Sequence, residues 1–182
     1  MTAWLFPGQG SQYKGMGEEL FQKFAPILQQ TDELLGYSIQ SLCLEDPDKR
    51  LNQTQFTQPA LYTVNALYTL QQRMDGAMEP RFVAGHSLGE YNALFAAGVV
   101  DFTTGLQLVK KRGELMGKVK GSGMAAVMSS GDVVQSLLQE YQLFDLDIAN
   151  YNSPKQTVIA GTNSSLERAK QIFAEKKSWR YS

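Results

Sequence analysis

The stretch Phe82-Val83-Ala84-Gly85-His86-Ser87-Leu88-Gly89-Glu90, followed by a run of helix formers to Ala97, decides the fold of this 182-residue chain. An apolar run, a glycine-flanked turn and a helical run predict a buried strand, a sharp turn and a helix. Residues 85–89 match the pattern G-x-S-x-G, whose glycines permit a cramped backbone that lifts the serine hydroxyl out of the sheet. The stretch therefore predicts an α/β protein with Ser87 as a candidate nucleophile. The alternative is an ordinary strand–helix turn with a capping serine.

Ser87 needs a base, because a serine hydroxyl is a weak nucleophile until another group accepts its proton, and that group is usually a histidine. The chain has one histidine, His86. Side chains of neighbouring residues on an extended strand diverge, so the His86 ring is poorly placed for this task and a structural role is favoured. Either the base lies beyond Ser182 or the chain is not catalytic.

The N-terminus offers a second strand and turn, since Ala3-Trp4-Leu5-Phe6 is an apolar run that is ended by Pro7-Gly8-Gln9-Gly10. Ligands of open α/β sheets gather at the carboxyl ends of the strands, so Gln9 and Ser87 are expected at the same edge. Gln9 would then contribute a side-chain or backbone donor to an oxyanion hole, and the backbone N–H of Leu88 would contribute a second. Taken alone, the segment reads as a plain glycine turn.

Arg112 is the most informative charge in the sequence. Phe102–Lys118 is predicted to be a helix with Asp101 as its N-cap. At about 100° per residue, one side of this helix is formed by Leu106, Val109 and Met116. Arg112 falls inside that apolar stripe and needs an anion, unless its stem merely snorkels to water. An internal carboxylate would make a structural ion pair, whereas a substrate carboxylate held by two hydrogen bonds would select a dicarboxylic acyl group.

The rest of the first 120 residues is predicted to be mostly helical. Apolar residues recur at helical spacing over residues 20–35, with an interruption at a proline, and a short helix follows at Ser38–Leu44. Residues 46–55 are polar and predict a loop. A long helix is predicted to begin with Thr57 as its N-cap and to end near Arg73.

The pattern changes after Gly121. Strands are predicted at 124–128, 146–149 and 156–160, and helices at 132–141 and 165–176, in the order β-α-β-β-α. The ferredoxin-like plan requires one more strand, which Trp179–Ser182 would begin. We therefore expect one unit at residues 1–120 and a second at 121–182 whose last strand is truncated, so that the chain is an N-terminal piece of a longer protein.

Composition argues against several classes of function. The 17 Lys+Arg and 18 Asp+Glu residues give a net charge of -1, which provides no basic field for nucleic acid. Cys43 is the single cysteine, so neither an internal disulfide nor a cysteine-rich metal site is expected, and a reducing, cytoplasmic setting is the default. The longest apolar stretch, Leu94–Val100, is too short to span a bilayer.

Five motifs occur in an order that resembles one family. They are Phe6-Pro7-Gly8-Gln9-Gly10-Ser11-Gln12, Thr57-Gln58-Pro59-Ala60-Leu61, Gly85-His86-Ser87-Leu88-Gly89-Glu90-Tyr91, Lys111-Arg112-Gly113 and Asn150-Tyr151-Asn152-Ser153-Pro154. Together they resemble the malonyl-CoA:acyl carrier protein transacylases and the acyltransferase domains of polyketide synthases, over the whole chain. Two further segments, 35–39 and 90–95, are most similar to the free-standing, trans-acting acyltransferases of polyketide assembly lines.

This resemblance implies a hydrolase-like α/β core with a parallel sheet, interrupted by a ferredoxin-like α+β subdomain, both incomplete at the C-terminus. It also implies that Ser87 carries the acyl group, that Gln9 lines the oxyanion hole with Leu88, and that Arg112 binds the malonyl carboxylate. Three further candidates for substrate binding are His86, Gln58 and Asn150. The family's catalytic histidine follows the small subdomain, and no position of this chain matches it.

The activity implied by the resemblance is transfer of a malonyl group from CoA to the phosphopantetheine thiol of an acyl carrier protein, through a Ser87 ester, in polyketide or fatty acid biosynthesis. No metal or redox cofactor is expected, since a thioester is already activated. Two alternatives are an acyl hydrolase of the same fold, against which Arg112 argues, and a non-catalytic module that docks carrier proteins. The 182-residue chain alone is expected to be inactive because it lacks the base.

Overall fold

The computed structural model describes residues 1–175. The chain divides into two compact units, Met1–Lys118 and Val119–Ser182, and the predicted boundary after residue 120 lies two residues further along. Each unit has a hydrophobic core of its own. The site residues predicted at positions 9, 58, 86–88 and 112 all belong to the first unit, and Asn150 belongs to the second.

The first unit contains a parallel pair of strands with helices packed on it. In chain order, its elements are β1 (Ala3–Phe6), α1 (Glu18–Phe21), α2 (Ala25–Leu35), α3 (Ile39–Leu44), a 3₁₀ segment (Pro47–Asn52), α4 (Thr54–Met74), β2 (Phe82–Gly85), α5 (Gly89–Ala96) and α6 (Phe102–Lys118). Ala3 pairs with Phe82 and Phe6 with Gly85, so both strands end at the same edge of the sheet. Neither these helices nor those elsewhere in residues 1–175 are long and apolar enough to cross a membrane.

The helix boundaries follow local signals. Pro26 lies in the first turn of α2, where its missing N–H costs no hydrogen bond, and it separates α1 from α2 as predicted. Ser38 caps α3 by accepting a hydrogen bond from the N–H of Ser41. Asp101 caps α6 as predicted, since its Oδ1 accepts the N–H of Thr104 at 2.7 Å.

The segment before α4 differs from its prediction in two respects. The predicted loop contains short 3₁₀ turns that are interrupted by a kink at Asp48 and Lys49, and Oδ1 of Asp46 accepts the backbone N–H of Leu51 at 2.7 Å across this kink. α4 begins at Thr54, earlier than predicted, and Thr57 is not its N-cap. The Thr57 hydroxyl instead donates to the carbonyl oxygens of Leu51 and Gln53, which ties the 3₁₀ segment to α4.

The apolar side of α6 is shorter than the helical wheel predicts. Leu106 and Val109 are fully buried, as predicted. Met116 is predicted on the same side but is 40% exposed. In the same turn, a Cβ at Gly117 would have Gln55 of α4 as its nearest neighbour at 3.8 Å, so the end of α6 lies beside a polar residue.

The second unit has the predicted order β-α-β-β-α. Its elements are β3 (Ser122–Val127), α7 (Gly131–Glu140), β4 (Leu146–Ser153), β5 (Gln156–Thr162) and α8 (Asn163–Glu175). β5 lies between β3 and β4 and is antiparallel to both, which fits the ferredoxin-like plan. The predicted final strand at Trp179–Ser182 lies outside the described residues.

Candidate active site

Ser87 sits on a strained turn between β2 and α5. Its φ is 51°, a left-handed conformation that residues with a Cβ rarely adopt. A Cβ at position 85 would lie 2.0 Å from the carbonyl carbon of Gly89, and a Cβ at position 89 would lie 2.2 Å from the carbonyl oxygen of Phe6. Close backbone contacts therefore require both glycines of the G-x-S-x-G pattern, and the turn has the form of a nucleophile elbow.

A buried amide holds α5 against α4. Asn92 is fully buried, its Nδ2 donates to the carbonyl oxygen of Tyr62 at 2.9 Å, and its Oδ1 accepts from Asn65 at 3.3 Å. The side chain of Leu88, the residue before α5, is fully buried in the core of the unit. These contacts fix the N-terminal end of α5, to which the Leu88 N–H belongs and where the helix dipole favours a developing negative charge.

The loop Gly8–Gln12, which follows β1, packs against the turn that carries Ser87. A Cβ at Gly8 would lie 2.4 Å from the carbonyl oxygen of His86 and 3.2 Å from its Nδ1, so only glycine fits there. The Ser11 hydroxyl donates to the carbonyl oxygen of Gly8 at 2.8 Å. The base of the loop is thus in direct contact with the residue that precedes the candidate nucleophile.

Arg112 extends from α6 to Ser87. Its guanidinium donates from Nη2 to Ser87 Oγ at 3.0 Å and from Nη1 to Oε1 of Gln58. Arg112 is half-buried, and no carboxylate within residues 1–175 forms an ion pair with it. The described part of the chain therefore does not supply the anion that an inward-facing arginine needs.

Polar side chains connect Arg112 to Gln9 through hydrogen bonds of defined direction. Gln58, which is 1% exposed, accepts from Arg112 and donates from Nε2 to Oε1 of Gln9 at 3.0 Å. Nε2 of Gln9 in turn donates to the Thr54 hydroxyl at 3.3 Å. Arginine has donors only, so Gln58 must present its oxygen to Arg112 and its nitrogen to Gln9. The nitrogen of the Gln9 amide therefore faces Thr54, and its second N–H is available to donate a hydrogen bond to a ligand.

A glycine allows α4 and α6 to come close enough for these contacts. A Cβ at Gly113 would lie 3.2 Å from Cα of Gln55 and 3.3 Å from Cβ of Gln58. Any larger residue would push the two helices apart. Gly113, the residue after Arg112, therefore determines how closely the Arg112 guanidinium approaches Gln58.

The other two candidates have different surroundings. His86 is exposed, and its backbone N–H donates to the carbonyl oxygen of Phe6 at 3.0 Å, which continues the pairing of β1 and β2. Asn150 lies in β4 of the second unit, opposite Val158 of β5. Their roles in substrate binding stay predictions.

Three residues that shape the site have no role predicted from the sequence, namely Thr54, Asn92 and Gly113. Thr54 falls in a segment predicted as a loop, and Asn92 falls in a predicted helix, so neither has a local signal of its own. Gly113 does have one. A glycine inside a helix costs about 1 kcal/mol relative to alanine, which indicates a close approach of another chain segment.

The site combines a half-buried serine hydroxyl at the ends of two parallel strands, an arginine that contacts it and forms no ion pair within residues 1–175, and two glutamine amides linked to that arginine. This arrangement is suited to acyl-group transfer through a serine ester, with selection of acyl groups that carry a second carboxylate. The chain belongs to the acyl transferase domain family, whose profile matches residues 3–180. The predicted family is thereby confirmed.

Two similar curated proteins of Bacillus subtilis are both named malonyl CoA-acyl carrier protein transacylase. Over 174 residues the chain is 58% identical to the polyketide biosynthesis malonyl CoA-acyl carrier protein transacylase PksC of Bacillus subtilis, a match that covers 95% of this chain and 60% of the relative. It is 38% identical to the malonyl CoA-acyl carrier protein transacylase of the same organism, over 95% of this chain and 57% of the relative. The chain thus spans about 60% of the length of these curated relatives.

A solved structure of a protein with the same name has a similar fold. The malonyl CoA-acyl carrier protein transacylase from Burkholderia pseudomallei matches with a TM-score of 0.87 and 50% identity, over 94% of this chain and 59% of that one. The likeness confirms the predicted fold class, a hydrolase-like α/β core with a ferredoxin-like subdomain.

Proposed function

We propose that the protein carrying this chain transfers a malonyl group from CoA to the phosphopantetheine thiol of an acyl carrier protein, through an ester on Ser87. A role in polyketide biosynthesis is favoured over one in fatty acid biosynthesis. The support is that the chain is more similar to the polyketide relative of Bacillus subtilis than to the other transacylase of that organism.

The partners in this proposal are malonyl-CoA and a carrier protein of a polyketide assembly line. No metal or redox cofactor takes part, because a thioester is already an activated acyl donor. The reaction is placed in the cytoplasm, in keeping with a single cysteine that is buried and unpaired.

One observation carries the choice of acyl group: the half-buried guanidinium of Arg112 contacts the Ser87 hydroxyl at 3.0 Å and has no ion-pair partner among residues 1–175. In a malonyl ester, only the carbonyl carbon and one methylene carbon separate the free carboxylate from the serine oxygen. That carboxylate is within reach of a cation that touches the oxygen itself. An acetyl ester would leave the cation unpaired, which favours malonyl donors.

Transfer proceeds in two half-reactions. A general base outside residues 1–182, a histidine by the family resemblance, accepts the Ser87 proton as Oγ bonds to the thioester carbon. Gln9 and the Leu88 N–H stabilise the oxyanion, the carbon–sulfur bond breaks, and CoA leaves as a thiol with the proton. The carrier thiol then attacks the ester in the reverse sequence and releases Ser87. The base is assigned to that histidine by the family resemblance, in which the catalytic histidine follows the small subdomain.

Acylation of Ser87 tests the proposal. The complete protein is incubated with malonyl-CoA, and peptide mapping by mass spectrometry is expected to locate a malonyl group on Ser87. Ser87→Ala is expected to remain unlabelled, whereas Ser136→Ala, which removes an exposed hydroxyl of α7, is the matched control and is expected to label normally. Labelling that persists in Ser87→Ala, or that maps to Ser11, would contradict the assignment.

A further inference from the structure

The loop Gly8–Gln12 carries Gln9 but contains no helix or strand. Its base is fixed by the contact between Gly8 and His86. Its tip contains Gly10 at a φ of 107°, and Gln9 itself is exposed. An exposed loop with glycines does not hold a side chain in one position by packing. Specific hydrogen bonds must therefore do so.

Two hydrogen bonds tie the tip of this loop to residues 52–54. Nε2 of Gln9 donates to the Thr54 hydroxyl at 3.3 Å, and Nε2 of Gln12 donates to Oδ1 of Asn52 at 3.0 Å. Gln12 also accepts the backbone N–H of Gly10 at 2.7 Å through its Oε1. The Gln12 amide therefore connects the backbone of the loop tip to Asn52.

Asn52 and Thr54 lie on a segment that is anchored on both sides. Leu51 is 2% exposed, and its N–H donates to Oδ1 of Asp46 at 2.7 Å. Thr57 is fully buried and donates to the carbonyl oxygen of Leu51 at 2.6 Å. Because both anchors are in or against the core, the residues between them form a rigid support for the loop.

We propose that Asn52 and Thr54 are positioning residues for the acyl transfer, which hold the loop so that Gln9 faces the oxyanion. This inference rests on the proposed function. Thr54 orients the Gln9 side chain directly, and Asn52 acts through Gln12 on the loop backbone. Neither residue contacts the acyl group. Loss of either hydrogen bond slows transfer of every acyl donor by the same factor, since the oxyanion is common to all of them.

Paired variants of the complete protein test this inference by steady-state kinetics. Thr54→Val and Asn52→Ala remove the hydrogen bonds, whereas Thr54→Ser and Asn52→Asp retain an acceptor. The first pair is expected to lower kcat about 5- to 100-fold, less than the roughly 100- to 1000-fold loss of a whole oxyanion donor. The KM for malonyl-CoA and the malonyl-to-acetyl preference are expected to stay unchanged, and the second pair is expected to recover most of kcat.

Two controls separate positioning from general damage. Thr103→Val removes an exposed threonine hydrogen bond to Gln30 at the start of α6, and it is expected to run at the wild-type rate. In a Gln9→Ala background, Thr54→Val is expected to cause no further loss, because Thr54 acts through Gln9. An equal loss in both backgrounds would overturn the role of Thr54.

Solvent exchange of the Gly10 N–H, followed by NMR, gives a readout that does not depend on activity. Asn52→Ala is expected to accelerate this exchange severalfold, and Thr103→Val is expected to leave it unchanged. If exchange accelerates but the wild-type protein never acylates Ser87, the support of the loop stands and the proposed function fails. If the wild-type protein transfers malonyl groups while Thr54→Val and Asn52→Ala keep the wild-type kcat, or alter the malonyl-to-acetyl preference, the inference is wrong.

Discussion

Replacement of Arg112 by alanine should separate malonyl transfer from acetyl transfer. The guanidinium contacts Ser87 Oγ at 3.0 Å and is oriented by Gln58, so a malonyl carboxylate would gain two charge-assisted hydrogen bonds from it. Breaking a fully buried pair costs about 3–5 kcal/mol, and the half-buried position of Arg112 reduces this to about 2–4 kcal/mol. At about 1.4 kcal/mol per factor of ten, kcat/KM for malonyl-CoA should fall about 30- to 1000-fold.

The assay compares kcat/KM for malonyl-CoA and acetyl-CoA in the same variant of the complete protein. Acetyl transfer should fall little or rise, because an acetyl group has no carboxylate to lose. The ratio of kcat/KM for the two acyl-CoA substrates cancels any general damage that the substitution causes. Such damage includes the loss of the hydrogen bond from Arg112 to Gln58. Arg112→Lys should recover only part of the malonyl preference, since an ammonium does not reproduce the planar fork. Equal losses for both donors would refute the reasoning and make Arg112 a structural residue.

Two further predictions concern stability. Gly89→Ala should destabilise the protein by about 1–3 kcal/mol in urea unfolding, because its Cβ would lie 2.2 Å from the carbonyl oxygen of Phe6. The control Gly117→Ala should be neutral or stabilising, since its Cβ would meet only Gln55 at 3.8 Å. Similar effects of the two substitutions would mean that backbone contact does not hold the turn. Burial raises the pKa of the Cys43 thiol from 9.0 to about 12, so the folded state keeps this proton longer than the unfolded state, and its contribution to stability is lost as pH rises from about 9 toward 12. Urea unfolding at about pH 7 and pH 11 should show a smaller loss in Cys43→Ala than in the wild-type protein, and an equal loss would contradict the assignment.

The turn that carries Ser87 could be predicted because its determinants are local. Gly85 and Gly89 flank the serine within five residues, and the apolar run before them and the helix formers after them are contiguous. The same holds for the capping of α6 by Asp101 and for the order of elements in the second unit. Each of these depends on backbone geometry and on side chains within a few positions, which a single sequence displays directly.

The sequence by itself therefore determined the class of fold, the candidate nucleophile and the inward direction of Arg112. Only the tertiary structure decided what Arg112 meets, because Gln58 and Ser87 are 54 and 25 residues away along the chain. The same is true of Thr54, which reaches Gln9 across 45 residues. Hydrogen bonds of this kind form where helices and loops pack together, and their geometry depends on close approaches such as that at Gly113, which no local pattern encodes.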